Sequence, residues 1–382
     1  MRMKSDNNTL FKTYYALLLA LLLFLLQPSG GSWMWLHNVR WLFVLLVSFI
    51  IAQLITPLAI QAAWYFKILD YPNERKIHLS PIPRMGGIAV VIAILLSTLR
   101  NFQFSSELTG LVIGSSIIYL IGFVDDMHPL PATPRLIGQI FACIIVVKSG
   151  VVATFIPPGL PLSETIEAAI TVFWLLGIAN AVNFLDGVDG LATGLVSICA
   201  MLFFFIAWPA QSHLSFLTIA VLGACLGFLP YNLRPAKTFM GDAGATFLGF
   251  LVAGLAVMGS WAYENPIVAF STPLLILGIP IFDMIYTTVS RVRNGSVRSF
   301  KQWLEFTGKD HFHHRLMKLG FSQTGTVIFI WSLNLCLGLG ALVIRDTGTK
   351  GSVLLLLQAV IIFLIIVVLM LTGRETYPGD IK

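Results

Sequence analysis

Charge is what this sequence has least of. Only 11% of its 382 residues are Asp, Glu, Lys or Arg, against 57% hydrophobic, which leaves too little polar sequence to cover a soluble domain of this length. Cysteine is scarce too. Cys143, Cys199, Cys225 and Cys336 all fall in apolar segments, without the close spacing of a metal site or a disulfide framework, and read as packing residues. Repeats of fixed period, low-complexity tracts and soluble-domain stretches are missing as well, so the chain reads as one membrane domain, 1–382. The net charge of +6 is spread over short loops between apolar runs, which argues against nucleic-acid binding.

What is abundant is apolar sequence in runs near the roughly 20 residues that a spanning helix needs. Candidate spans lie at about 13–28, 41–66, 86–99, 108–124, 136–156, 166–185, 190–208, 214–230, 243–261, 266–290, 324–344 and 352–372. The fold expected is therefore all-α, a polytopic helical bundle with about 11–12 transmembrane helices. The first run follows Lys12 and resembles a signal-peptide core; no clear small-residue cleavage site follows, so it is kept as an anchor. The run 86–99 is short for a span. With alternating crossings, Arg40, Arg100, Lys148, Arg345 and Lys350 share one side and the other 19 of the 24 Lys and Arg share the opposite side, which places both termini in the cytoplasm.

The same alternation gathers the polar stretches. LDYPNERKIHLSPIPRMGG (69–87), FVDDMHPLPATPR (123–135), NFLDGVDG (183–190), LRPAKTFMGDAG (233–244) and GKDHFHHRL (308–316) all fall on the Lys/Arg-rich face. They carry Asp125, Asp126, Asp186, Asp189 and Asp242 at or near predicted helix ends, where a carboxylate is costly unless paired, hydrated or bound to a cation. A single such aspartate is accounted for by capping. Five on one face are not, because caps would scatter over both. Hard oxygen ligands beside Lys and Arg suit a magnesium-assisted phosphoryl transfer, and Mg2+ takes only one or two protein carboxylates, so some of the five have other work. In DGVDG, Gly187 and Gly190 permit a close backbone approach. The motif is too compact for a calcium loop. HFHH adds His311, His313 and His314 beside Lys309 and Arg315; no fourth zinc ligand is evident, and anionic diphosphate binding fits the surrounding positive charge better. Asp283, inside the span 266–290, is either functional or a structural partner for a neighbouring helix.

FVDD, NFLDGVDGLATG, FMGDAG and DHFHHRL, in that order, resemble the polyprenyl-phosphate N-acetylhexosamine-1-phosphate transferases, the superfamily that also holds the phospho-MurNAc-pentapeptide translocase. The resemblance covers about Leu69 to Gly320, and the block 69–87 together with Phe312 between His311 and His313 looks like the UDP-N-acetylglucosamine branch, whose products begin O-antigen, enterobacterial common antigen or teichoic-acid linkage units. It implies a bacterial inner-membrane enzyme that moves N-acetylhexosamine-1-phosphate, GlcNAc first, from a UDP-sugar to undecaprenyl phosphate and releases UMP, with Mg2+ or Mn2+. By motif it implies Asp242 as metal ligand with Asn183 assisting, and Asp125 and Asp126 as the catalytic pair, without saying which is the base. Asp186 and Asp189 would shape the nucleotide site, and His311, His313, His314 and Arg315 would hold the diphosphate. Lys237 and Arg135 are added as cations beside the aspartates; many relatives place a lysine after the Asp pair, where here Arg135 is the first strong cation. The sugar, the downstream glycan and a homodimer are left open. The rival from another class is a secondary transporter using membrane acids for ion or proton coupling, whose acids belong near the midplane beside broken helices.

Overall fold

In lipid every backbone N–H and C=O must find an internal partner, so apolar runs of this length fold as helices. The computed structural model describes residues 2–372 except 73–77, 79, 100–104, 155–160, 262–264, 300–301, 304–307 and 309; the predicted cytoplasmic cations Arg75, Lys76, Lys301, Lys309, Arg374 and Lys382, and Arg100 of the other side, lie outside the described residues. The helices are α1 (Arg2–Leu26), α2 (Pro28–Leu36), α3 (Arg40–Phe66), α4 (Gly87–Leu99), α5 (Ser106–Met127), α6 (Ala132–Lys148), α7 (Ser163–Leu185), α8 (Leu191–Ala207), α9 (Ser212–Asn232), α10 (Gly241–Met258), α11 (Pro266–Ile276), α12 (Gly278–Arg293), α13 (Phe312–Lys318) and α14 (Gln323–Thr372). A two-stranded antiparallel ribbon, β1 (Leu69–Asp70) with β2 (Ile82–Pro83), pairs Asp70 with Ile82. The molecule is thus a polytopic helical membrane protein.

Among the described residues, seven helical segments are long and apolar enough to cross a bilayer, eight if α11 and α12 form one span, and Lys12–Leu26, Gly87–Leu99 and Leu191–Ala207 are shorter apolar helices. Two predicted spans take a different form. Residues 266–290 are not one rod: α11 and α12 meet at a 78° bend. The segment 136–156 ends early, because Gly150 adopts φ 102° just beyond α6. The last two predicted spans, 324–344 and 352–372, are present as two separate segments of α14, Gln323–Ile344 and Thr349–Thr372.

α10 is the centre of the bundle, with 83% of its residues buried, against 17% in the most apolar window of Thr349–Thr372 at the periphery. Its sequence, GDAGATFLGFLVAGLAVM, is rich in small residues, which is what lets helices approach closely in a membrane. A Cβ on Gly244 would lie 2.7 Å from the Cα of Gly87 on α4, and one on Gly122 of α5 would lie 2.5 Å from the Cα of Ala243. These two crossings fix the N-terminus of α10 against the start of α4 and the end of α5. Cys143, Cys199 and Cys225 are buried as packing residues, whereas Cys336 is exposed on the bundle surface.

Candidate active site

Backbone pairing welds the first polar stretch to the fourth. Phe239 N–H donates to Pro83 O (2.8 Å), Gly86 N–H to Phe239 O (2.9 Å) and Gly87 N–H to Met240 O (2.9 Å). The second stretch joins through Asp126, whose carboxylate accepts from the backbone N–H of Asp242 (3.2 Å) and Ala243 (3.1 Å) and so caps α10 across a helix contact. The third joins through Asp189, which accepts from Ala236 N–H at 3.1 Å. The fifth meets the third where a Cβ on Gly187 would come within 2.9 Å of His313 Nε2. All five stretches therefore converge on one end of the bundle.

Arg84 ties the acids together. One guanidinium nitrogen lies 3.1 Å from Asp126 Oδ1 and 3.1 Å from Asp242 Oδ1, and the other lies 3.7 Å from Asp70 Oδ1. Burial alone would lower its pKa, but Asp242, Asp126 and Asp70 outweigh this and hold it above its ordinary value. Asp126 is 3% exposed while Asp242 is 44% exposed, so Asp242 is the member of the pair open to a ligand. Gly241 precedes it at φ 78°, and a Cβ there would strike Asp126 Oδ2 at 2.6 Å. Asp70 also accepts from His78 Nε2 at 2.7 Å.

Asp125 faces the other way. It accepts from Leu130 N–H (2.7 Å) and pairs with Arg135 (2.9 Å), so the cation predicted beside the aspartates is beside Asp125. Asp125, Arg135, Asn180, Asn183, Asp242 and Thr246 line one narrow cleft between α5, α6, α7 and α10. Asp186, just beyond α7, has its pKa raised well above the ordinary carboxylate range by burial and by the neighbouring Asp242 and Asp126. Lys237 is exposed and its ammonium lies 5.8 Å from the Tyr231 ring centroid; Arg84 is the cation that bridges Asp126 and Asp242.

The histidine segment divides its labour. His311 is buried, with Nδ1 2.7 Å from Asp283 Oδ2 and Nε2 3.2 Å from an Arg291 nitrogen. His313 is buried, and among the described residues both of its ring nitrogens are without a hydrogen-bond partner. Burial, then His314 and His311 nearby, pushes its pKa well below the ordinary value, so at neutral pH it offers a neutral ring with one N–H donor. His314 packs on it at 4.2 Å between ring centroids. Arg315 donates to Asp310 O (3.2 Å) and Ser290 Oγ (3.0 Å) and lies over Tyr286, so much of its fork ties the histidine segment to α12.

Among the described residues no three His, Cys, Asp or Glu side chains converge closely enough to hold a metal by themselves. The donor set still fits Mg2+, which takes one or two protein oxygens and completes its shell with water and substrate phosphate. Asp242 is accessible, and Asn183 Oδ1 is buried in the same cleft without a hydrogen-bond partner among the described residues. Sequence reasoning missed Asp70 and Arg84 as site residues. The signal available was their place in the same polar block as Gly86 and Gly87.

The chain matches the family model "Glycosyl transferase family 4" over residues 108–260. It is 33% identical over 317 residues, 81% of this chain and 86% of the relative, to a probable undecaprenyl-phosphate N-acetylglucosaminyl 1-phosphate transferase of Bacillus subtilis. The chain belongs to glycosyl transferase family 4. Within that family it is also similar to the decaprenyl-phosphate N-acetylglucosaminephosphotransferase of Mycobacterium leprae (30% identical, 81% of this chain, 85% of the relative). A phospho-N-acetylmuramoyl-pentapeptide-transferase of Bacillus subtilis is 32% identical over 78% of this chain and 95% of its own length. This glycosyl transferase family 4 member is a multi-pass phosphotransferase. The matched residues run from α5 through α10 and take in Asp125, Asp126, Asp186, Asp189 and Asp242.

Proposed function

We propose that the chain transfers N-acetylhexosamine-1-phosphate, GlcNAc-1-phosphate first, from a UDP-sugar to undecaprenyl phosphate at the cytoplasmic face of a bacterial inner membrane, beginning a cell-surface glycan. The observation that carries this reading is the Arg84 bridge between buried Asp126 and accessible Asp242 at one end of the bundle, with unpartnered His313 packed against the DGVDG loop. A lipid-borne phosphate and a water-soluble donor can meet only at such an interface. An oxygen of the lipid phosphate attacks the β-phosphorus of the donor, the bond from that phosphorus to the bridging oxygen breaks, and UMP leaves as the diphospho-sugar lipid forms.

Asp242 and Asn183 would hold Mg2+ or Mn2+, which when bound supplies positive charge to the phosphates. Arg84 bridges Asp126 and Asp242 and adds a fixed positive charge beside Asp242. Asp125, held by Arg135, would orient the lipid phosphate or take its proton, and His313 would donate to the diphosphate. The five motif aspartates cluster at one end, and Asp283, the acid buried within α12, is spent on His311 and Phe312, which favours this reading over an ion-coupled transporter.

The test is release of UMP from UDP-GlcNAc by the purified chain with undecaprenyl phosphate and Mg2+. Asp242→Asn should abolish transfer while leaving expression intact. Absence of transfer with any UDP-N-acetylhexosamine would end the proposal.

A further inference from the structure

Asp283 is fully buried, and both of its oxygens are engaged. Oδ1 accepts from the N–H of Phe312, the first residue of α13, at 2.6 Å. Oδ2 lies 2.7 Å from His311 Nδ1. Across the ring, Arg291 approaches Nε2 at 3.2 Å; a guanidinium only donates, so Nε2 must be the acceptor and the ring proton must sit on Nδ1, directed at Asp283. Arg291 is itself held by both oxygens of Asp310, at 2.6 and 2.9 Å. Asp283 and Arg291 are two turns apart on α12, so they grip residues 310–312 at two levels.

We propose that Asp283 is a positioning residue: by fixing the tautomer of His311 and the start of α13, it presents His313 to the phosphotransfer site, an inference that rests on the reading of that site above. His311 and His313 are nearly parallel, 7° between planes and 6.2 Å between centroids, so the orientation of the first ring carries to the second. His311 also packs on Phe184, 4.9 Å between ring centroids, in the segment that leads to DGVDG. His313 then stands with Nε2 toward Gly187, where a side chain larger than hydrogen would collide with it. His311 is thus a strut. The ring with unpartnered nitrogens is the one it supports.

Asp283→Asn isolates this role, because Asn keeps an acceptor for Phe312 N–H but turns an NH2 toward Nδ1. His311 must then move its proton to Nε2, where it meets the Arg291 donor. In 15N-histidine spectra of the full-length protein in nanodiscs, the wild type should show one ring in the Nδ1–H form, assigned by its loss in His311→Gln, and this form should vanish in Asp283→Asn. Transfer by Asp283→Asn should fall about 10- to 100-fold with an unchanged thermal midpoint, and adding Asp283→Asn to His311→Ala should cost nothing further. A wild-type His311 in the Nε2–H form, a spectrum that Asp283→Asn leaves unaltered, full transfer by that variant, or effects that multiply in the double variant would each overturn the proposal. If Asp283→Asn does not fold, the wild-type and His311→Gln spectra decide. Loss of all transfer in the wild type would strike the proposed function instead, and the tautomer would still be read.

Discussion

Removing the Arg84 guanidinium would leave Asp126 and Asp242 facing each other with their shared cation gone. Arg84→Ala is expected to lower turnover about 100-fold or more, the range seen when one preorganised donor is lost from a site. Arg84→Lys should fall between, since an ammonium keeps the charge but not the planar fork. Turnover at saturating substrates measures this, and an unchanged Arg84→Ala would remove the residue from the site. The aspartates were legible as a group because carboxylates at an apolar boundary demand a partner. Which cation supplies it was not: Lys237 and Arg84 look alike in sequence, and only the pairing of Phe239 with Pro83 brings Arg84 to the acids. Asp310 gives a second expectation. Burial acts to raise its pKa, but the hydrogen bond from Arg291 prevails and holds it below the ordinary value of about 3.9. A depressed folded pKa contributes stability above the unfolded value that is lost as pH falls through the folded one. Asp310→Asn should therefore lower the thermal midpoint at pH 7, with the gap to wild type closing as pH drops below about 4; a gap that does not depend on pH would show that the charge at Asp310 contributes nothing.

The start of α10 is set by what its neighbours lack, namely side chains at Gly87 and Gly122. Gly244→Val would push α4 away and carry Arg84 with it. The expected cost is about 1–3 kcal/mol for overpacking, seen as a lower thermal midpoint together with loss of transfer; a variant that is stable and active would show that this crossing does not set the site. Hydropathy made the helices legible, because spanning segments must be apolar and internally hydrogen-bonded. It cannot register a bend whose two arms are both apolar, so Pro266–Ile276 and Gly278–Arg293 read as one span despite the 78° between them. Nor can it see the left-handed Gly150 that stops α6, since φ is a backbone property and the residues beyond remain hydrophobic. Asp283 was visible as an anomaly inside α12. Its partner was not, because His311 lies in a loop whose docking depends on the whole bundle.

The helices alternate so that every motif loop lies at one end, and the cations follow: Arg84, Arg135, Lys237, Arg293, Arg298 and Lys318 belong to that end, while Arg40 and Lys148 mark the other. An excess of Lys and Arg in short loops marks the cytoplasmic side. An anionic nucleotide sugar does not cross a bilayer, so the compartment that faces Asp242 decides whether the donor can reach it. Single cysteines test this in a Cys336→Ser background, since Cys143, Cys199 and Cys225 are buried. A cysteine in place of exposed Ser106, at the far end of α5, should react with a membrane-impermeant maleimide in intact spheroplasts. A cysteine in place of exposed Ser296, beyond α12, should react only after the membrane is broken. The reverse pattern would put the aspartates and Arg84 on the side without donor, and the proposed transfer could not run there however well the acids are arranged.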